Sequence, residues 1–175
     1  IPLVTGWNLV SFNLQPASTA IADVLSSIEG HYTLVNAWDA ATQLWLQYDP
    51  AAPSYANDLL TLDHTMGFWI YMSAADTLVV TGTPPTTTNI NLQTGWNLVG
   101  YPSMDLLSLP GALSDHGVTD YSIAMAFHAN ETDQWKAFDP AAPPYANNLL
   151  EITPNWGYWI QVSSESTWTV SYDQP

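Results

Sequence analysis

The chain has 175 residues, with sixteen Asp plus Glu against a single basic side chain, Lys136, and a formal net charge of −15. Nucleic-acid binding needs clustered Lys or Arg to replace phosphate counterions, and attraction to anionic membrane surfaces needs the same, so both are excluded. Charged residues make up only 10% of the chain and hydrophobic ones 47%, which points to a folded protein and not to an acidic disordered tail. Without cysteine there are neither disulfides nor thiolate metal sites. No apolar run of about 18 residues occurs, so no membrane insertion is expected.

From the N-terminus, Gly6-Trp7-Asn8-Leu9-Val10 is a short strand-prone run between turn residues. Ile21, Val24, Leu25 and Ile28 fall at i, i+3, i+4 and i+7, one helix face, with Ser18 or Thr19 placed to cap it and Gly30 to end it. Tyr32, Leu34, Asn36 and Trp38 alternate with Thr33, Val35 and Ala37, as in a half-buried strand. A polar turn then leads to Trp45, and Asp49-Pro50-Ala51-Ala52-Pro53 opens a turn-rich loop. Gly67-Phe68-Trp69-Ile70 reads as a further strand. Thr81-Gly82-Thr83-Pro84-Pro85-Thr86-Thr87-Thr88 is too poor in apolar residues to pack and reads as an extended linker.

After that linker the same series begins again. Thr94-Gly95-Trp96-Asn97-Leu98-Val99 repeats Thr5 to Val10, Asp139-Pro140-Ala141-Ala142-Pro143 repeats the Asp-Pro loop, and Gly157-Tyr158-Trp159-Ile160 repeats the later strand. The offset is 89 before the hairpin turn and 90 after it, so the turn absorbs one residue. The second helix would be capped by Ser108, carry Pro110 in its first turn and stop at Gly117. Tyr121 to Phe127 alternates like its counterpart, and Thr167 to Tyr172 sets Trp168, Val170 and Tyr172 on one face. The expected organisation is repeat 1 over 1–82, a Pro/Thr linker over 83–89 and repeat 2 over 90–175. The expected class is β-rich α+β. Each repeat would hold about five mainly antiparallel strands and one short helix, the two packing with pseudo-twofold symmetry. Ile1 follows no leader, and Asp173-Gln174-Pro175 falls where the first repeat meets its linker; the expectation is a piece of a longer chain cut at a module boundary.

The Gly6-Trp7-Asn8-Leu9-Val10 and Gly157-Tyr158-Trp159-Ile160 motifs, with the Asp-Pro turn between them, resemble a repeat module of large exported bacterial and archaeal proteins. Such modules are appended to surface proteins, proteases and polysaccharide-degrading enzymes. The resemblance implies an extracellular or cell-surface, non-catalytic accessory role beside other domains of a larger parent chain.

Nine Trp and nine Tyr carry the strongest compositional signal. Pyranose rings stack their C–H faces on flat aromatics while their hydroxyls seek Asp, Asn or Gln, so such a chain suits a polysaccharide or cell-surface glycan. The same rings also fill cores, each burying roughly 150–250 Å². Trp7/Trp96 and Trp69/Trp159, flanked by Gly and apolar residues, are expected in the core. Trp38 and Trp168 are expected buried as well, because their counterparts Phe127 and Leu78 are apolar. Trp45 and Trp135 follow a polar turn, and Trp156 follows Pro154-Asn155, so for these three exposure and burial stay open.

The Asp-Pro loop matches at ten of twelve positions between Asp49–Leu60 and Asp139–Leu150. There Tyr55 and Tyr145 could stack on a ligand, while Asp49, Asp139, Asn57 and Asn147 bond it. Alternatively these residues only set the turn. Candidate ligand-binding residues are thus Trp45, Trp135, Tyr55, Tyr145, Trp156, Asp49, Asp139, Asn57 and Asn147. No catalysis is expected, since Gly-x-Ser-x-Gly, His-Glu-x-x-His and phosphate-loop patterns are missing. No cofactor is expected either, although oxygen-rich loops such as Asp49/Asn57/Asp58 would suit Ca²⁺. The alternative to glycan binding is a structural or adhesive spacer of a cell-surface protein.

With one cation for sixteen acids, charge pairing cannot hold this chain together. Self-repulsion relaxes as carboxylates begin to protonate. The melting temperature at low salt should therefore rise from about pH 8 to about pH 5, as followed by circular dichroism; a clear fall would contradict this.

Overall fold

The computed structural model describes residues 1–172; the expected boundary at Asp173-Gln174-Pro175 lies outside the described residues. Sixteen antiparallel strands and two α-helices of four residues each make the fold β-rich. Most strand residues belong to two four-stranded sheets. The first runs Gly6–Val10, Phe68–Met72, Tyr32–Asp39, Leu44–Tyr48, and the second runs Gly95–Val99, Tyr158–Val162, Tyr121–Phe127, Trp135–Phe138. The strand order recurs at the spacing of the sequence repeat.

The Gly-Trp-Asn-Leu-Val motif has a distinct task for each side chain. Gly6 and Gly95 enter the strand at φ +94 and +102, a backbone region that L side chains avoid. Asn8 is buried because its amide donates to the carbonyls of Val4 and Gly6 at 2.8 and 3.0 Å; Asn97 does the same to Gln93 and Gly95. Val10 and Val99 then point into the core of their own half, while Trp7 and Leu9, two apart, point to the opposite face of the sheet.

Each half has its own core on one sheet face. Val35, Ala37, Phe68, Ile70 and Met72 meet Leu25, Ile28 and Leu62 in the first; Tyr158, Ile160, Val162 and Ala124 meet Leu113, Val118 and Trp168 in the second. Trp168 is fully buried as expected, stacked on Tyr101 at 5.7 Å, with its indole N–H given to the Ala112 carbonyl at 2.9 Å. Burial pushes the Tyr101 and Tyr158 phenols up to about 12.

The helices are shorter than the apolar spacing predicts. The first spans Ile21–Val24 and tightens into a 3₁₀ turn over Ser26–Ile28, so the i+7 residue is reached by a different winding. Ala20, not Ser18 or Thr19, takes the N-cap position, and Ser18 turns its hydroxyl to Asp23. The second helix is Gly111–Ser114 with Pro110 as N-cap, because Ser108 is held in a two-residue ladder with Glu151. The segment 83–89 is paired at both ends. Gly82–Thr83 bridges Gln15–Pro16, and the strand Thr87–Leu92 begins inside it and pairs along its length with Ser166–Ser171.

The two sheets are joined backbone to backbone. Val10 bridges Trp156 and Val99 bridges Met66. The Ser11 N–H donates to the Asn155 carbonyl at 3.1 Å, and the Gly100 N–H to that of Thr65 at 2.8 Å. This approach needs glycine at the turns: a Cβ on Gly67 would sit 2.6 Å from the Val99 oxygen, and one on Gly157 would sit 3.0 Å from the Val10 oxygen. Gly67→Ala and Gly157→Ala should each cost about 1–3 kcal/mol through overpacking, lowering the melting temperature by roughly 3–10 °C. Differential scanning calorimetry of the single variants reads this directly.

Candidate functional site

The outward face of each sheet is rich in aromatic side chains. Period-two alternation puts Trp7, Trp69, Tyr71, Asn36, Trp38, Trp45 and Gln47 together on the first sheet. On the second it assembles Trp96, Trp159, Gln161, Met125, Phe127 and Trp135. The two faces meet over a third apolar cluster of Leu9, Leu98 and Phe127, against which Trp38, Trp69 and Trp159 pack.

Contacts across this junction are reciprocal. Trp159 meets Trp38 and Trp45 edge to face, with ring centroids 5.7 and 5.6 Å apart. Trp69, its counterpart in the first repeat, meets Phe127 and Trp135 at 5.1 and 5.7 Å. Within each hairpin a cross-strand pair faces the junction, Trp38–Trp45 at 5.3 Å and Phe127–Trp135 at 5.3 Å. Such pairs contribute roughly 0.5–1.5 kcal/mol each beyond their buried area.

Between the outer edges of these rings lies an open apolar cleft with two lobes. One, of about 300 Å³, is lined by Trp38, Trp45, Trp96, Met125, Trp135 and Trp159. The other, of about 490 Å³, adds Trp7, Trp69, Phe127 and Asn36 while sharing Trp45, Trp135 and Trp159. Seven of the nine Trp of the chain thus line one surface, and no ionisable side chain lines it. Chemically the cleft offers aromatic edges and faces, one thioether and one amide, which suits an uncharged ligand with flat apolar faces.

Several expectations need correction here. Trp7 is 38% exposed and Trp69, Trp96 and Trp159 are only half-buried, so the four tryptophans expected in the core face the cleft. The reason is strand parity: Asn8 and Ile70 hold the core positions, and their Trp neighbours turn the other way. Trp38 is half-buried at the junction, its indole N–H donated to the Trp96 carbonyl at 2.9 Å.

Trp45 and Trp135 are 50% and 44% exposed, and the fold brings them together in the cleft. Trp156 sits elsewhere, half-buried and tilted against His128 with ring centroids 4.1 Å apart, its carbonyl accepting from the Ser11 hydroxyl at 2.7 Å. His128 is held by that ring contact and by the Glu131 carboxylate at 2.9 Å.

No residue of the Asp-Pro loops lines the cleft. Tyr55 and Tyr145 are each 89% exposed. The polar residues beside them are spent within the loop. Asn57 and Asn147 each accept the N–H of Asp49 or Asp139 at 2.9 Å and donate to its carbonyl at 3.1 Å. The Asp49 and Asp139 carboxylates accept the N–H two residues on, from Ala51 and Ala141, at 2.8 Å. Asp58 takes the Gln47 N–H. Among the described residues no three His, Asp or Glu side chains converge as a metal site would require.

Reading the sequence for exposed turns found Trp45 and Trp135 but missed Trp7, Trp38, Trp69, Trp96, Trp159 and Asn36. The available signal was parity: Phe68/Ile70 and Trp69/Tyr71 are apolar at both parities, which marks a strand covered on both sides. No protein-family model, curated protein or solved structure matches this chain.

Burial separates the two kinds of tryptophan energetically. Trp168→Ala should cost about 3–5 kcal/mol and Trp45→Ala about 1 kcal/mol, since only the first empties a closed, hydrogen-bonded site. Urea titration of both variants checks the contrast.

Proposed function

We propose that this chain is a non-catalytic accessory module that binds an uncharged polysaccharide in the tryptophan cleft, and that it works outside the cell beside other domains. The observation that carries the reading is the gathering of seven Trp on one surface with no ionisable side chain in its lining. Ligand sites are concave and mostly apolar, with a few placed polar groups. Glycan rings offer such a surface apolar C–H faces to stack and hydroxyls to bond. Acidic glycans are disfavoured by the net charge of −15, for which no basic residue in the cleft compensates. The pseudo-twofold packing of the repeats belongs to the same reading. It is supported by the matched strand orders and by the reciprocal contacts of Trp69 and Trp159.

The structural spacer is favoured by a separate observation: Trp38, Trp69 and Trp159 also cement the two sheets through the shared apolar cluster. The readings part at Trp45 and Trp135, whose exposed edges the spacer has no use for. Affinity gels containing soluble cellulose derivatives, xylan, mannan or glycol chitin should retard the wild type on at least one polymer. Trp135→Ala and Trp45→Ala should abolish that retardation while leaving the protein folded. No retardation on any of these polymers would leave the spacer reading in place.

A further inference from the structure

We propose that the cleft is two subsites of unequal chemistry, and that Asn36 with Gln47 makes the Trp7 lobe the one that selects the sugar. This rests on the glycan reading above. The two lobes are built from repeat-equivalent positions: Trp7 corresponds to Trp96, Trp69 to Trp159 and Trp135 to Trp45. Where the repeats diverge, they diverge inside the cleft. Asn36 stands in the Trp7 lobe and Met125, 89 residues later, in the Trp96 lobe. Cross-strand from them, in register, are Gln47 and Ala137 respectively. One lobe therefore carries the Asn36 amide in its lining with the exposed Gln47 amide beside it, where the other has the Met125 thioether with the Ala137 methyl group beside it.

Those two amides make no hydrogen bond to the other described residues, unlike those of Asn8, Asn57, Asn97 and Asn147, which clasp their own backbone. Asn36 is half-buried beside Trp69, in register across the strand. Its amide borders the open cleft among indole rings and has no partner in the described protein, which leaves it available to a ligand. A pyranose can take that place, because a primary amide both donates and accepts and adjacent ring hydroxyls do the same.

The amides nearest the opposite lobe are outside its lining and already engaged. Gln161 accepts from Ser122 at 2.8 Å, and Gln43 clasps the Trp96 backbone at 3.0 and 3.1 Å. The equivalent of Gln43 is Asp133, which bonds Asn148 instead. Trp7 thus lacks the clasp that Trp96 has, and its lobe is the larger. The Trp96 lobe holds a sugar by stacking alone; the Trp7 lobe reads its hydroxyls or its acetamido group.

The test measures affinities by titration calorimetry for uncharged hexasaccharides of glucose, mannose, xylose and N-acetylglucosamine. Asn36→Met and Gln47→Ala copy the residues of the second repeat at the same places, so both should fold, as the near-ultraviolet dichroism will report. The wild type should rank the four sugars. Asn36→Met should weaken the preferred one about fivefold to tenfold, the worth of one or two neutral hydrogen bonds, and flatten the ranking. Met125→Asn should change the ranking by adding an amide to the other lobe. An Asn36→Met protein with wild-type affinities and ranking overturns the subsite assignment, while loss of binding in Trp135→Ala would still uphold the glycan reading. Absence of binding to every sugar overturns both. So does a dimer in sedimentation velocity that Trp45→Ala dissolves, or binding of a proline-rich peptide instead.

Discussion

The arrangement depends on backbone of one half meeting backbone of the other at two glycines. Gly67 and Gly157 let a turn from each half lie against the end of the other half's first strand, where Val99 bridges Met66 and Val10 bridges Trp156. Hydrogen bonds of fixed length and direction set how the sheets face each other. Everything outward of that joint follows from it: the shared Leu9, Leu98 and Phe127 cluster, the crossing of Trp69 and Trp159 over the opposite hairpins, and the cleft between the remaining ring edges. A bulkier turn would separate the sheets and leave two exposed apolar faces.

Size explains why both faces of each sheet are apolar. A domain of under 90 residues closes only a small core, and a sheet covered on one side alone would be marginal. Packing the outer faces together provides a second layer of burial. Tryptophan suits this place because it reaches across a gap that aliphatic chains would leave open, and edge-to-face contacts leave its far edge free. The same rings therefore cement the halves and line a cleft. This dual use is why burial alone does not separate structural from cleft-lining tryptophans here: Trp38 and Trp45, cross-strand neighbours, both pack on Trp159 and both line the cleft.

Much of the strand content was legible because the same motifs occur twice in the sequence. The recurring motifs and the alternation in Tyr32–Asp39 and Tyr121–Phe127 come straight from spacing, whereas the order of strands within each sheet does not. The helices were overread, because four apolar residues at helical spacing are equally served by one α-turn followed by a 3₁₀ turn. In the Asp-Pro loop, tight repetition reflects a turn stapled by Asn57 and Asn147 to their own backbone, a local role that a sequence comparison of two copies cannot tell from a shared ligand. The cleft itself was only half visible. Its tryptophans come from both halves and are brought together by the joint, a long-range event with no local signature, whereas Trp45 and Trp135 betrayed themselves by following a polar turn.

Charge separates what stabilises the protein from what the cleft does. Asp39, Asp76 and Glu131 are held below the usual carboxylate range. Thr42 and the Ala41 N–H act on the first, His31 and the Thr77 N–H on the second, Lys136 and His128 on the third. A depressed folded-state value contributes stability above the unfolded value, and that stability is lost as the pH falls through the folded one. Mild acid therefore relieves repulsion among the unpaired acids, while stronger acid removes these specific contacts, so stability should peak between the two. None of this reaches the cleft. Its Trp, Phe, Met and Asn side chains carry no charge to gain or lose between those limits. The cleft surface therefore keeps its charge state across the range in which the stability of the fold changes, so the two answer to different variables.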